Sequence, residues 1–391
     1  MVQSFVVIDM IIALAVGGIR YEEDIVGIVS IVWCLLMVLW TVLIDIVVKH
    51  GKATVEEEMM GHAEMNRSWR ERLEVGTSGV ALVILLGCVI FMTITLIIRA
   101  VDWSTGPPGK RYSVNAGTYR IHLHCEGNIT DSKGNKLPTV LLEGGEDAVE
   151  DGLWQLAEES VRNGSISRFC FVDRPGYAWS DAAPSPMSAG MEVMAMNEAL
   201  AKAGERGPWV IVSAGIGTIY SRVFSAQHGN SVKGLVLIDP LHEDYLGGVG
   251  SGLRRFLIWL RGIISPLGLD RVPAAIFKGR SSTDRIWGTS SRQSGKFIFS
   301  KLQESLTANT FTEREIKSSR SIQQQNTPLT VITSGDQLKE DSNWESAQRD
   351  LSKLTANLQH WDIVDGAPHR VWDTKAGRVM IMKRMKQMVN L

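Results

Sequence analysis

The stretch "WVIVSAGIGTIYSRVF", Trp209 to Phe224, combines a short apolar run, a turn of small residues and a helical pattern. A strand–turn–helix of this kind can present a nucleophilic side chain at its tip. Here the tip falls on Gly215, which has no side chain to offer, while Ser213, two residues earlier, carries a hydroxyl in the alternative register. A phosphate-binding turn is a third reading, because Gly215 and Gly217 match the start of a dinucleotide fingerprint and Asp239 ends the following run. Tyr220 occupies the place of the third glycine, where close helix–strand packing wants a small residue, and that weighs against it. The four cysteines and the histidines show no metal-ligand spacing, and no metal or cofactor is expected.

These residues need a scaffold, and the second part of the chain supplies one. "PTVLLEGG", "RFCFVD", "WVIVS", "GLVLID", "LTVIT" and "HWDIVDG" are short apolar runs ending in small or acidic residues. Parallel strands covered on both faces require such runs. Helical patterns such as "GLWQLAEESVRNG" and "GTIYSRVFSAQHG" lie between them, so the expected fold is a doubly wound, mostly parallel α/β sheet. "TYRIHLHCEG" alternates as a half-buried edge hairpin would. In such sheets ligands bind at the carboxyl ends of the strands, so functional residues should lie just past each run.

The first hundred residues have a different character. The chain has 391 residues, 45% hydrophobic, with a formal net charge of −1, and the apolar residues are unevenly placed. Ile25–Val48 and Gly76–Ile98 each exceed the roughly 20 apolar residues needed to cross a bilayer, and both are followed by basic residues, Lys49, His50 and Lys52 after the first and Arg99 after the second. Val2–Ile19 is expected as a third span, with Asp9 turned into the helix bundle. The membrane domain would occupy residues 1–101, with spans near 2–19, 25–48 and 76–98, followed by the Pro/Gly linker 102–111. Lys49, Lys52, Arg67, Arg70 and Arg72 lie between the two firm spans, which places that loop in the cytoplasm and the C-terminal domain opposite. Arg99, Lys110 and Arg111 weigh the other way. Asn128-Ile-Thr130 and Asn163-Gly-Ser165 are glycosylation acceptors only in the first orientation. A Cys125–Cys170 bridge requires neighbouring strands and an oxidising compartment. The membrane itself, of the secretory pathway or the mitochondrion, stays open.

Taken in order, "VLLEGGED", "RFCFVDRPGYAWSD", "VIVSAGIGTIYSRVF", "GLVLIDPLHEDY" and "WDIVDGAPH" resemble the landmarks of the α/β-hydrolase superfamily across nearly all of residues 112–391. "DRPGYAWSD" is similar to the loop after the fourth strand in ester and epoxide hydrolases. The resemblance implies a G-x-S-x-G elbow, onto which Ser213 and Gly217 fall as the flanking small residues and Gly215 as the nucleophile position. The interval from Gly215 to Asp239 is about the family's usual one, whereas a shift to Ser213 would place bulky Ile211 where a small residue belongs. The resemblance also implies His369 as general base and Asp239 as the acid orienting it, with Asp336 as the alternative acid. The oxyanion donors would be the backbone N–H groups of Ile216 and Gly145, although Glu143-Gly144 replaces the His-Gly often found there.

Residues 241–327 form a long insertion, expected as a cap, and "LRRFLIWLRGIISPLGLDRVP" within it is apolar and basic by turns. Most of these residues are expected to pack the cap's own core, with Arg254, Arg255 and Arg261 at lipid headgroups. The resulting expectation is a membrane-tethered relative of serine esterases and lipases, catalytically impaired, with a pocket for an apolar or ester small molecule. The rival is an active hydrolase using Ser213, or a water activated by His369 and an acid. Membrane lipid is an expected partner and nucleic acid is not.

Overall fold

A computed structural model describes residues 2–58 and 69–391. They fall into two compact units: Met1–Thr105 with Ile264–Ser282, and Gly106–Ile263 with Thr283–Leu391.

In the first unit, α1 (Val2–Ala15), α2 (Gly17–Glu58) and α3 (Trp69–Trp103) carry the apolar runs. Within them Ile25–Lys52 and Arg72–Trp103 are long and apolar enough to cross a bilayer. The first has no buried residue in its apolar core, the reverse of what a helix inside a soluble domain shows. The third expected span comes out shorter. α1 has 14 residues, about 21 Å at 1.5 Å per residue, less than the roughly 30 Å of a hydrocarbon core. It packs instead on α3, with half-buried Asp9 beside Thr93. The charged segment "RYEED" (20–24), between the first two apolar runs, is helical and belongs to α2. Arg67, counted with the loop between the spans, lies outside the described residues.

In the second unit, eight strands form one sheet in the order β1-β2-β4-β3-β5-β6-β7-β8. They are β1 (Lys110–Val114), β2 (Tyr119–Gly127), β3 (Thr139–Glu143), β4 (Arg168–Val172), β5 (Trp209–Ala214), β6 (Val232–Ile238), β7 (Leu329–Ser334) and β8 (Leu358–Val364). β2 runs antiparallel to both β1 and β4, and all pairings from β4 to β8 are parallel. The end of the expected linker thus becomes edge strand β1, which moves β2 one place inside the edge.

Every residue of β3, β4, β5 and β7 is buried, because helices cover both faces. Alternation sends Leu141, Ile211, Leu235 and Val331 to one core, against α5 (Ala189–Ala203) and α6 (Gly217–His228) after α4 (Leu153–Arg162) in the chain. Val140, Val212, Val236 and Ile332 point to the opposite core.

Between β6 and β7 the insertion holds α7 (Leu246–Val249), α8 (Gly252–Ile264), α9 (Arg271–Phe277), α10 (Ser282–Ile286), α11 (Gly295–Thr307) and α12 (Glu313–Ile322). The chain then adds α13 (Gly335–Glu340) and α14 (Ser342–Leu351) before β8, and α15 (Lys375–Val389) after it. The insertion does not behave as one cap. α11 and α12 are tied to the sheet domain, through Ser300 to the Pro175 carbonyl, Gln303 to that of Ala183, and Glu315 accepting from Ser188 and Gly190. Residues 264–282 instead belong with the spans, where Arg271 pairs with Asp102 of α3 at 2.6 Å. α8 has no buried residue at all, so its apolar side chains do not fill a cap core as expected.

Cys125 and Cys170 are direct partners in the β2–β4 register and form a disulfide. Replacing both by alanine should lower the unfolding free energy of this unit by about 2–4 kcal/mol, read by chemical denaturation. Peptide mapping without reduction of protein from its native membrane should recover the two cysteines linked. Free thiols at both would count against an oxidising compartment.

Candidate active site

The turn after β5 has the shape its sequence implies. Gly215 lies at φ +45°, a left-handed conformation that costs glycine little and other residues more. Its N–H donates to the Ile238 carbonyl and its own carbonyl accepts from Leu241, which lock the tip over the end of β6. At Gly217 a Cβ would collide with the Gly144 carbonyl, so only glycine lets the start of α6 come this close to the loop after β3.

His369 and Asp239 converge on that tip. Asp239 directly follows β6 with φ +40°, a strained position for a non-glycine residue and one often found at functional sites. Its buried carboxylate accepts three hydrogen bonds: from the Ser334 N–H at 3.0 Å, the Trp344 indole N–H at 2.9 Å and His369 Nδ1 at 2.6 Å. The residues expected as base and orienting acid are therefore adjacent. Asp336 lies apart, half-exposed in the first turn of α13 and 3.6 Å from Lys339. Ser213 does not reach His369 either. It is fully buried in β5, and its hydroxyl pairs with that of Ser221 in α6 at 2.6 Å.

Where a nucleophile's side chain would project, the structure places Glu146. A Cβ built on Gly215 would lie 2.5 Å and 2.9 Å from the two Glu146 carboxylate oxygens and 2.9 Å from His369 Nε2. Glu146 Oε2 is 3.1 Å from His369 Nε2, and Oε1 accepts the Ile216 N–H at 3.2 Å. The first expected oxyanion donor is thus engaged by a carboxylate of the chain itself. Gly145, the second, is buried in the same loop, and its carbonyl accepts from the Arg174 guanidinium.

Arg174 sets the course of that loop. Fully enclosed, it reaches Glu143 at 3.2 Å and Glu304 of α11 at 3.5 Å, and it lies 4.3 Å and 4.9 Å from the ring centres of Tyr177 and Tyr220. One guanidinium thereby joins the loop after β3, the loop after β4, the elbow helix and the insertion. A second bridge runs outside it. Asp147 accepts from Arg292 of the insertion at 2.5 Å and from Arg370 at 2.7 Å, and Arg370 also reaches Asp151 at 2.8 Å. Arg370 follows His369 directly, so this chain of ions ties the insertion to the histidine loop.

The electrostatics follow from the geometry. Burial would lower the His369 pKa, but the hydrogen bonds and charges of Asp239 and Glu146 outweigh it and raise it to about 10. Burial would likewise raise Glu146, but the hydrogen bond and charge of His369, helped by Lys301, hold it down to about 2. The Glu146 side chain retains 43% of its surface, so solvent in the cleft screens the pair. At neutral pH the centre is an imidazolium between two carboxylates. Such an imidazolium can donate a proton but cannot accept one.

Glu146 is the residue that sequence reasoning missed. It follows the expected donor Gly145 in "EGGED", but the aim of its carboxylate depends on a loop backbone that no periodicity encodes. Trp344, which donates to Asp239, was missed for the same reason: it comes from a helix distant in sequence.

This sheet order and elbow, with the histidine–aspartate pair at the strand ends, are those of the α/β-hydrolase fold. Among solved structures it is similar to a mutant of the Vigna radiata epoxide hydrolase, with TM-score 0.51, 14% identity and coverage of 72% of this chain and 98% of that one. An alpha/beta hydrolase enzyme from a Medee basin deep-sea metagenome library gives TM-score 0.50 at 13% identity, covering 72% and 95%. At such identities the likeness concerns the fold alone.

Over its whole length the chain belongs to the family of an uncharacterized protein of Schizosaccharomyces pombe, to which it is 34% identical over 98% of this chain and 76% of that protein. An uncharacterized vacuolar membrane protein of Saccharomyces cerevisiae is 28% identical over 67% of this chain, which spans about half (48%) of that protein's length. A family model described as a region of unknown function (DUF2417) matches residues 1–125.

The pKa shifts set a pH window. His369 is raised from 6.5 to about 10, so its pairing contributes fully below about 6.5 and is lost as pH rises toward 10. Glu146 is lowered from 4.5 to about 2, so its contribution is present above about 4.5 and is lost as pH falls toward 2. NMR of the His369 imidazole should accordingly show the charged form throughout the neutral range, with its midpoint far above 6.5. Glu146→Gln should move that midpoint down; a midpoint near 6.5 in the unmodified protein would remove the ion pair from the account.

Proposed function

We propose that the protein is a membrane-tethered α/β-hydrolase-fold protein in which acyl transfer is lost or greatly slowed, while a pocket for an apolar or ester-like ligand is kept. One observation carries this reading: the elbow tip is Gly215, and the Glu146 carboxylate fills the space beside it, bonded to both His369 and the Ile216 N–H. Acyl transfer needs an attacking oxygen, a base free to take its proton, and a vacant oxyanion site. Glycine supplies no oxygen, the paired imidazole is already protonated, and the donor at Ile216 is engaged. Loss of a serine nucleophile alone reduces turnover by about a millionfold in the best-measured case.

The rival readings are weaker on the same geometry. The Ser213 hydroxyl is buried and bonded to Ser221, away from the base. Activation of water by His369 would require a neutral imidazole, which Glu146 and Asp239 oppose. Membrane tethering is supported by the two span-length helices and by the name of the budding-yeast relative. That name and the Cys125–Cys170 bridge favour a membrane of the secretory pathway, with the sheet domain on its oxidising side.

Fluorophosphonate probes should leave the protein unlabelled; labelling at Ser213 that disappears in Ser213→Ala would overturn the reading. Gly215→Ser alone should remain nearly silent, since its Cβ meets the Glu146 carboxylate. Combined with Glu146→Ala it should gain hydrolysis of a p-nitrophenyl ester, and that gain should vanish with His369→Ala. If the double variant folds, by circular dichroism, and still shows no His369-dependent gain, the site has lost more than its nucleophile.

A further inference from the structure

Helix α8 is built inside out. Leu253, Phe256, Leu257, Leu260 and Ile264 fall on one face at the spacing i, i+3, i+4, i+7, i+11. In a cap helix that face would be covered. Here it points outward, leaving Leu253, Phe256 and Leu257 with 71%, 55% and 54% of their surface exposed. The side turned toward the domain is the opposite one, where Arg255, Ile258 and Gly262 are half-buried and Gly262 approaches Ile298 of α11. Polar groups frame the outward face. Arg254 and Arg261, one above the other, border an open groove of about 340 Å³ with Ser251, Leu253, Leu257 and Ile258. On the other flank Trp259 stacks on Phe256 with ring centres 5.9 Å apart.

Apolar residues outward, an aromatic at one margin and arginines at the other is the composition of a helix lying in a bilayer interface. The chain's own course selects that occupant over a second protein. α8 ends at Ile264, inside the unit that holds the spans. Within that unit Gly268 sits against Thr95, near the end of α3, and Arg271 pairs with Asp102 in its last turn. The residues that follow α8 are thereby fixed at the end of a span, the level of the lipid headgroups. α9 adds Ile276 and Phe277 there, exposed by 58% and 83%.

We propose that α8 lies on the membrane surface, with its outward apolar face in the headgroup–acyl boundary and Arg254 and Arg261 at lipid phosphates. This rests on the membrane tethering argued above and adds a second attachment besides the spans.

The test uses the full chain in nanodiscs of phosphatidylcholine and phosphatidylserine. An environment-sensitive fluorophore is placed on Leu257→Cys in a Cys34→Ser/Cys88→Ser background, with Lys339→Cys as the water-exposed reference and native Cys34 in α2 as the span reference. Leu257→Cys should emit at shorter wavelength than Lys339→Cys and be quenched several-fold more by brominated lipid than by aqueous iodide. Arg254→Glu with Arg261→Glu should reduce that lipid quenching. Quenching by iodide, or protection from both quenchers as under a second protein copy, overturns the proposal while Cys34 remains lipid-quenched. Failure of Cys34 itself to be quenched by lipid removes the tethering reading, and this proposal with it.

Discussion

An imidazolium clasped between two carboxylates governs this site. His369 is fixed on one side by Asp239, which the Ser334 N–H and the Trp344 indole hold in place at a strained backbone position, and on the other by Glu146, which also accepts the Ile216 N–H. The first contact belongs to the general design of a charge-orienting acid. The second inverts the use of that design. On the proposed reading, a base expected to accept a proton is a cation already in possession of one, and the space for an attacking group holds a counter-ion. Gly215 makes this arrangement possible, since any Cβ at the tip would press on both Glu146 and His369.

The surrounding architecture explains how a site without a nucleophile can keep its shape. The elbow is closed by backbone bonds from Gly215 to Ile238 and Leu241, none of which involves a side chain. The loop that delivers Glu146 is held by Arg174, whose buried contacts reach four separate segments. On the proposed reading, a frame held in this way can do without a catalytic hydroxyl, so scaffold and chemistry can part company. That separation agrees with the general rule that function resides in sites grafted on folds.

Much of this was legible in the sequence. The sheet and its parallel core were announced by apolar runs ending in small or acidic residues, because burial on both faces leaves no other composition available. Gly215, Asp239 and His369 lie at or shortly past the ends of such runs, and the resemblance to the superfamily's landmarks singled them out. What stayed hidden depended on direction rather than composition. Glu146 carries no signal of its own in the sequence, α8 reads as cap core, and residues 110–111 read as linker, yet one carboxylate turns toward His369, one apolar face turns outward, and the linker's end pairs as a strand. A helical pattern states which residues share a face and is silent about where that face looks. The length of the first helix was overestimated for a related reason: apolar composition continues past Ala15 although the helix does not.

The ions around Asp147 give the cleft one more property. Arg292 from the insertion and Arg370 beside His369 grip the same carboxylate, and both remain partly open to solvent. Because exposed charges are screened by dissolved ions, this grip between the insertion and the histidine loop loosens as electrolyte concentration rises.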